Sequence, residues 1–137
     1  MQFFKGSCSE TEVSEQLYFL IAGLNVMTIK EAAAMLGAEF LQDQFEDTAL
    51  TGAYTSDLLS DVMANAKEGG ALITIQAHKN TVAVATLVNI SVIVLCNNRP
   101  VQDDEMLEAA RDEGIAVIRT TENQFTVSGK LYAALHG

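Results

Sequence analysis

From Met27 onward the apolar positions keep two rhythms in turn, a three-and-four spacing over short stretches and near-continuous runs between them. Thr28 opens the first helical stretch, which runs through Met35 and is closed by Gly37, where a left-handed residue ends helices. Residues 39–42 form a short strand candidate, and after acidic turn residues 50–55 read as a second strand. Ser56 or Asp57 then caps a helix whose Leu58, Leu59, Val62, Met63 and Ala66 point inward, with Gly69-Gly70 ending it. Residues 71–76 are a buried strand rich in β-branched side chains. Asn80 caps a helix through Leu87, and 91–95 is the next strand. Asp103 or Asp104 opens a helix to Asp112, Gly114 stops it, and 115–118 is the last strand. Thr121, with Glu122 behind it, starts a final helix to Leu135.

Strands separated by helices of this length predict an α/β domain over 27–137, with a predominantly parallel sheet of about five strands and helices on both faces. Residues 1–26 read differently. Ser9-Glu-Thr-Glu12 has the form of a capping box, and Val13, Leu17, Leu20, Ile21 and Leu24 follow on one helical face. This prefix is expected to be an amphipathic helical appendage: a docking helix, an over-called start or a cloning remnant.

Composition changes this picture little. Apolar residues make up 49% of the 137 and charged residues 19%, a lean surface that either a second copy covers or alanine inflates. The net charge of −10 comes from 18 acidic against 8 basic residues, no two of the latter adjacent in sequence. Direct nucleic-acid binding is therefore not expected, since it needs clustered Lys and Arg. No apolar run is long enough to span a bilayer and no secretory signal opens the chain, so a cytoplasmic protein with Cys8 and Cys96 as free thiols is expected.

In an open parallel sheet, ligands bind beyond the carboxyl ends of the strands. Four segments qualify: Thr55-Ser56-Asp57, Gln76-Ala-His-Lys-Asn80, Cys96-Asn-Asn-Arg-Pro100 and Thr120-Thr121. The second joins an amide, an imidazole and an ammonium just before a helix N-terminus, which favours an anion. Arg99 can add a bidentate contact to a carboxylate or phosphate. Against this, Ser56, Asp57, Asn80 and Thr121 are each explained as N-caps worth ~1 kcal/mol with no ligand at all. His78, beside Lys79, has no evident capping task. Asp57 and Asp61 lie one turn apart and can form an acidic pair. No phosphate loop, dinucleotide fingerprint or nucleophile elbow is present, and the Cys and His residues share no metal-binding spacing. Neither catalytic residues nor a metal nor a cofactor is expected, and Cys96 reads as a small buried hydrophobe.

The run Leu50-Thr-Gly-Ala-Tyr-Thr-Ser-Asp-Leu-Leu-Ser-Asp-Val-Met63, followed by Ile73-Thr-Ile-Gln-Ala-His-Lys-Asn80 and Val82-Ala-Val-Ala85, resembles the DRTGG domain family. The units at 109–118 and 125–132 fit as well, so the resemblance covers about residues 27–135. Asp47 matches the aspartate of the naming motif and Thr51-Gly52 its Thr-Gly, while Ala53 stands in place of the second glycine and restricts any φ > 0 there. Similar domains are non-catalytic parts of larger proteins, next to nucleotide-sensing CBS pairs in some pyrophosphatases, and the N-terminal domain of HPr kinase/phosphorylase is related. The resemblance implies an α/β domain that self-associates and senses or transmits a signal, with Thr51, Gly52, Tyr54, Ser56, Asp57, His78 and Asn80 as motif positions. A kinase activity does not carry over, because the phosphate loop is missing. Two readings stand: a homodimeric regulatory module binding a small anionic or nucleotide-like ligand through Thr51, Gly52, Tyr54, Ser56, Asp57, Gln76, His78, Asn80 and Arg99, or a protein–protein interaction and dimerisation module without a small-molecule ligand.

Overall fold

A computed structural model describes residues 26–136; the expected N-terminal helix lies outside them. The elements run α1 (Ile29–Leu36), β1 (Glu39–Gln42), β2 (Ala53–Thr55), α2 (Leu59–Asn65), β3 (Ala71–Thr74), α3 (Lys79–Leu87), β4 (Val92–Leu95), α4 (Glu105–Glu113), β5 (Ala116–Arg119) and α5 (Gln124–His136). One five-stranded sheet has the order β1-β5-β4-β3-β2. Pairs β2–β3, β3–β4 and β4–β5 are parallel, while β1 joins β5 antiparallel with a bulge between Phe40 and Gln42. The α/β class and the mostly parallel sheet are thus as expected.

Where end chemistry is local, the elements follow the sequence closely. Thr28 caps α1 through a complete capping box with Glu31, and Gly37 ends it at φ 61°. Gly114 closes α4 at φ 68° in the same way. β3 and β4 are buried on both faces, as an interior parallel strand must be when helices cover the sheet. Ala71, Ile73, Val92, Val94, Ala116 and Ile118 face α1 and α5, while Leu72, Ile93, Leu95 and Val117 face α2, α3 and α4. Two apolar layers therefore sandwich the sheet.

Several expected boundaries shift. The 50–55 strand is shortened to Ala53–Thr55, because the Leu50 amide bonds the Met27 carbonyl and the Thr51 amide bonds the Gly69 carbonyl before pairing with β3 settles into register. α2 begins at Leu59 without a side-chain cap, and only Val62 of it is buried. Leu58 and Met63, expected inside, are 64% and 48% exposed, because this short helix lies at the margin of the sheet. Asn80 does not cap α3: His78 does, its Nδ1 accepting from the Asn80 amide at 3.1 Å. Nor does Thr121 cap α5, since the Asn123 side chain accepts from the Thr126 amide at 2.9 Å.

Candidate functional site

The carboxyl ends of β2, β3 and β5 meet at Asp57. Its Oδ1 accepts from the Thr74 hydroxyl at 2.8 Å, the Ile75 amide at 2.9 Å and the Gln124 side-chain amide at 3.1 Å. The Asp57 carbonyl accepts from the Gln76 side chain at 3.0 Å. One carboxylate therefore ties the β2–α2 turn to the β3–α3 turn and to the start of α5. Thr74 is fully buried, so its hydroxyl needs this partner or another. Arg99 enters from the β4–α4 turn, where its Nε donates to the Ile75 carbonyl at 3.3 Å. Among the described residues, no acceptor bonds its two terminal nitrogens.

Arg99 owes its approach to Asn97 and Asn98, both in the left-handed region at φ 59° and 50°. Their amides donate to the Glu122 and Thr120 carbonyls, which folds the turn back over the end of β5. Asparagine is the non-glycine residue that takes this conformation most readily, and the Asn-Asn pair was the one signal of it in the sequence. Beside the corner, α3 begins under the His78 cap, and Lys79 pairs with Glu105 of α4 at 2.9 Å. Cys96 is fully buried behind it. Burial first, then the carboxylates of Asp57 and Glu122, push its thiol up to about 11, which makes it an inert hydrophobe at neutral pH.

The nine residues singled out from sequence do not form one group. Asp57 and Arg99 bond the amide and the carbonyl of Ile75, Gln76 beside it bonds Asp57, and His78 and Asn80 are adjacent at the start of α3. Ser56 stands at the same end of β2, but its hydroxyl serves the turn by accepting from the Leu58 amide at 3.1 Å. Tyr54 points to the other face and donates to Asp61 at 2.9 Å, so Asp61 belongs to Tyr54 and not to an acidic pair with Asp57. Thr51 and Gly52 lie at the opposite end of the strand. The Thr51 hydroxyl donates to the Glu68 carbonyl at 2.7 Å, and the Gly52 carbonyl accepts from the Ala71 amide. Ala53 sits in regular strand with no positive φ, so the missing second glycine costs this backbone nothing.

Two residues of the corner escaped sequence reasoning. Thr74 lay inside an apolar run, and Gln124 lies 67 positions from its partner Asp57. Three hollows lie outside the corner among the described residues, one of them, of about 350 Å³, between β1 and α4. Another of about 240 Å³ is lined by Ile29, Thr48, Asn89, Ser91 and Gly114. A third, an open groove of about 620 Å³, runs between α3 and α4 from Lys79 and Asn80 to Asp112. Among the described residues, no group of three His, Cys, Asp or Glu side chains could hold a metal ion, and no helix is long and apolar enough to cross a membrane.

No protein-family model and no curated protein matches the chain. Among solved structures it is similar to the CBS and DRTGG domains of the regulatory region of Clostridium perfringens pyrophosphatase, crystallised with the activator diadenosine tetraphosphate. The TM-score is 0.66 at 18% identity, over 86% of this chain and 50% of that one. The chain thus spans half the length of that neighbour. The DRTGG resemblance carried by the residues is matched at the level of the fold.

Proposed function

We propose that this chain is a non-catalytic regulatory module of the cytoplasm, homodimeric, that senses a small anionic or nucleotide-like ligand at the carboxyl ends of its parallel strands. One observation carries the reading. Asp57, Gln76 and Arg99, from three different turns, meet around Ile75 beside the N-terminus of α3. Arg99 spends only its Nε there, which leaves a fork of donors for a phosphate or carboxylate next to a helix start that also favours anions. Because Asp57 joins three turns, a ligand that moves one of them acts on the others. The regulatory region of similar fold, with its bound nucleotide activator, supports the same class of role. The buried, free thiol of Cys96 fits a reducing compartment. Thr51, Gly52 and Tyr54 act in this reading as framework.

The test is thermal unfolding of the full chain with diadenosine tetraphosphate, adenine mononucleotides, acetyl phosphate and coenzyme A in turn. A ligand at one hundred times its Kd adds about 2.7 kcal/mol. Arg99→Ala is expected to abolish that shift without lowering the unliganded Tm. If none of these compounds shifts the transition, the sensing reading falls. The purely protein-binding reading then gains, and the exposed apolar side chains of α2 and α5 favour it independently.

A further inference from the structure

We infer that two copies of this chain join through the open edge of β2, with the exposed flanks of α2 and α5 closing over the seam. The inference rests on the self-association proposed above and assigns it a surface. The two edges of the sheet are treated very differently. β1 is interrupted by its bulge, and its Glu39 Oε2 accepts from both Nη2 and Nε of Arg119, at 2.8 and 3.0 Å. Bulges and charges are the devices that keep an edge from pairing. β2 has neither: residues 50–56 carry no charge and no proline, and no other described strand covers its outer side.

The hydrogen-bonding groups of that edge can be assigned. The Gly52 carbonyl accepts from Ala71 and the Ser56 amide donates to the Ile73 carbonyl, so the even-numbered residues face β3. Ala53 and Thr55 then present their amides and carbonyls outward. Antiparallel pairing about a two-fold axis at Tyr54 sets Ala53 opposite the partner's Thr55. Two such pairs, each exchanging both bonds, satisfy every outward group of the strand.

The side chains point to the same place. Six large apolar residues are exposed among the described ones, and four of them, Leu58 just before α2, Met63 on α2, and Phe125 and Tyr132 on α5, belong to the two helical segments that flank β2. α2 is tied to β2 by Tyr54 and Asp61, and α5 by a 2.6 Å hydrogen bond between the hydroxyls of Thr55 and Ser128. Phe125 and Tyr132, 88% and 67% exposed, fall on the same side of α5 as Ser128 by helical spacing. Leu58 and Phe125 each follow directly on a partner in the Asp57–Gln124 hydrogen bond. The chemistry selects a second copy as occupant. With a net charge of −10, two copies repel each other over most of their surfaces, and this uncharged edge lets them meet without like charges opposed.

The test is the molar mass of the full chain by light scattering at micromolar concentration, for wild type, Phe125→Glu, Ala53→Pro and, as a control on the exposed flank of α3, Leu87→Glu. The expected result is twice 14.7 kDa for wild type and Leu87→Glu, and a single chain for the two others. Ala53→Pro removes only an outward amide, so native circular dichroism in that variant separates loss of pairing from loss of fold. A monomeric wild type overturns the self-association reading itself. A dimeric wild type whose dimer survives both Phe125→Glu and Ala53→Pro overturns this surface and leaves that reading standing.

Discussion

The two flanks of β2, at Gly52 and at Asp57, lie five residues apart and solve different problems. At its start, Thr51 and Gly52 run close beside Gly69 and Gly70 in the parallel ladder. At its end, Asp57 gathers donors from two distant turns. A motif that spans both ends reads as one site in sequence, yet in space it is a close backbone approach at one end and a polar corner at the other. At the close approach the constraint is shape, so its glycines matter for the room they leave. At the corner it is unpaired donors, so the residue matters for what it accepts.

The largest effect expected is at this close approach, and it separates the motif glycine, Gly52, from Gly70, which sequence offers only as part of a helix end. A Cβ on Gly70 would lie 2.8 Å from the Gly52 carbonyl oxygen, which is backbone and cannot swing away, whereas a Cβ on Gly52 meets nothing within 4 Å. Gly70→Ala is expected to cost about 1–3 kcal/mol as an overpacking change, which lowers Tm by roughly 3–10 °C. Gly52→Ala, at the motif position, is expected to leave Tm nearly unchanged. Calorimetry of both variants checks the pair. Equal losses would mean that the motif glycine is itself needed for its conformation.

Next in size is the corner. Asp57→Ala removes the acceptor of the buried Thr74 hydroxyl and of the Ile75 amide, and stranding such donors costs about 1–3 kcal/mol. Half-burial of Asp57 lets water replace part of the loss, so the lower half of that range is expected. Asp57→Asn keeps an acceptor oxygen and should recover most of it. Urea unfolding of wild type and both variants measures the difference. If Asn is as damaging as Ala, charge and not acceptance holds the three turns together.

How far each end could be read beforehand follows the same division. α1, with Thr28, Glu31 and Gly37 within ten positions, was legible because helix ends are written in neighbouring residues. So was the sandwich of two apolar layers, which needs only the continuous runs of β3 and β4. Strand 39–42 was found, but four residues carry no mark of direction, and its antiparallel pairing with β5 appears only in the fold. His78 reads from sequence as a ligand contact with no capping task, because histidine is an uncommon cap, although its Nδ1 serves as one here. Asp57 and Asn80 read both as ligand contacts and as caps, the usual use of such residues. What Asp57 bonds instead lies 17, 18 and 67 positions away, and no local pattern encodes that.

The smallest expected effect lies midway along the strand, where Tyr54 holds α2 to the sheet through Asp61. The nearby Ser56 hydroxyl, then the Tyr54 hydroxyl and the Asn65 amide, hold the Asp61 carboxyl below its ordinary 3.8. The bond to Asp61, then burial, then the charge of Asp61 raise Tyr54 above its ordinary 10.0. For the acid, the folded state binds its proton more weakly than the unfolded one. Its contribution is therefore present above pH 3.8 and lost as pH falls through the lowered folded value. For the phenol the sign reverses: the contribution is whole below pH 10.0 and lost as pH rises through the raised folded value. Both groups are only half-buried, so the effect is a small difference in Tm between wild type and Tyr54→Phe, steady through neutral pH and shrinking at both extremes. A difference that stayed constant from pH 3 to pH 11 would mean that the tyrosine holds α2 by packing alone. The middle of β2 would then resemble its closely packed start, where shape decides, more than its polar end.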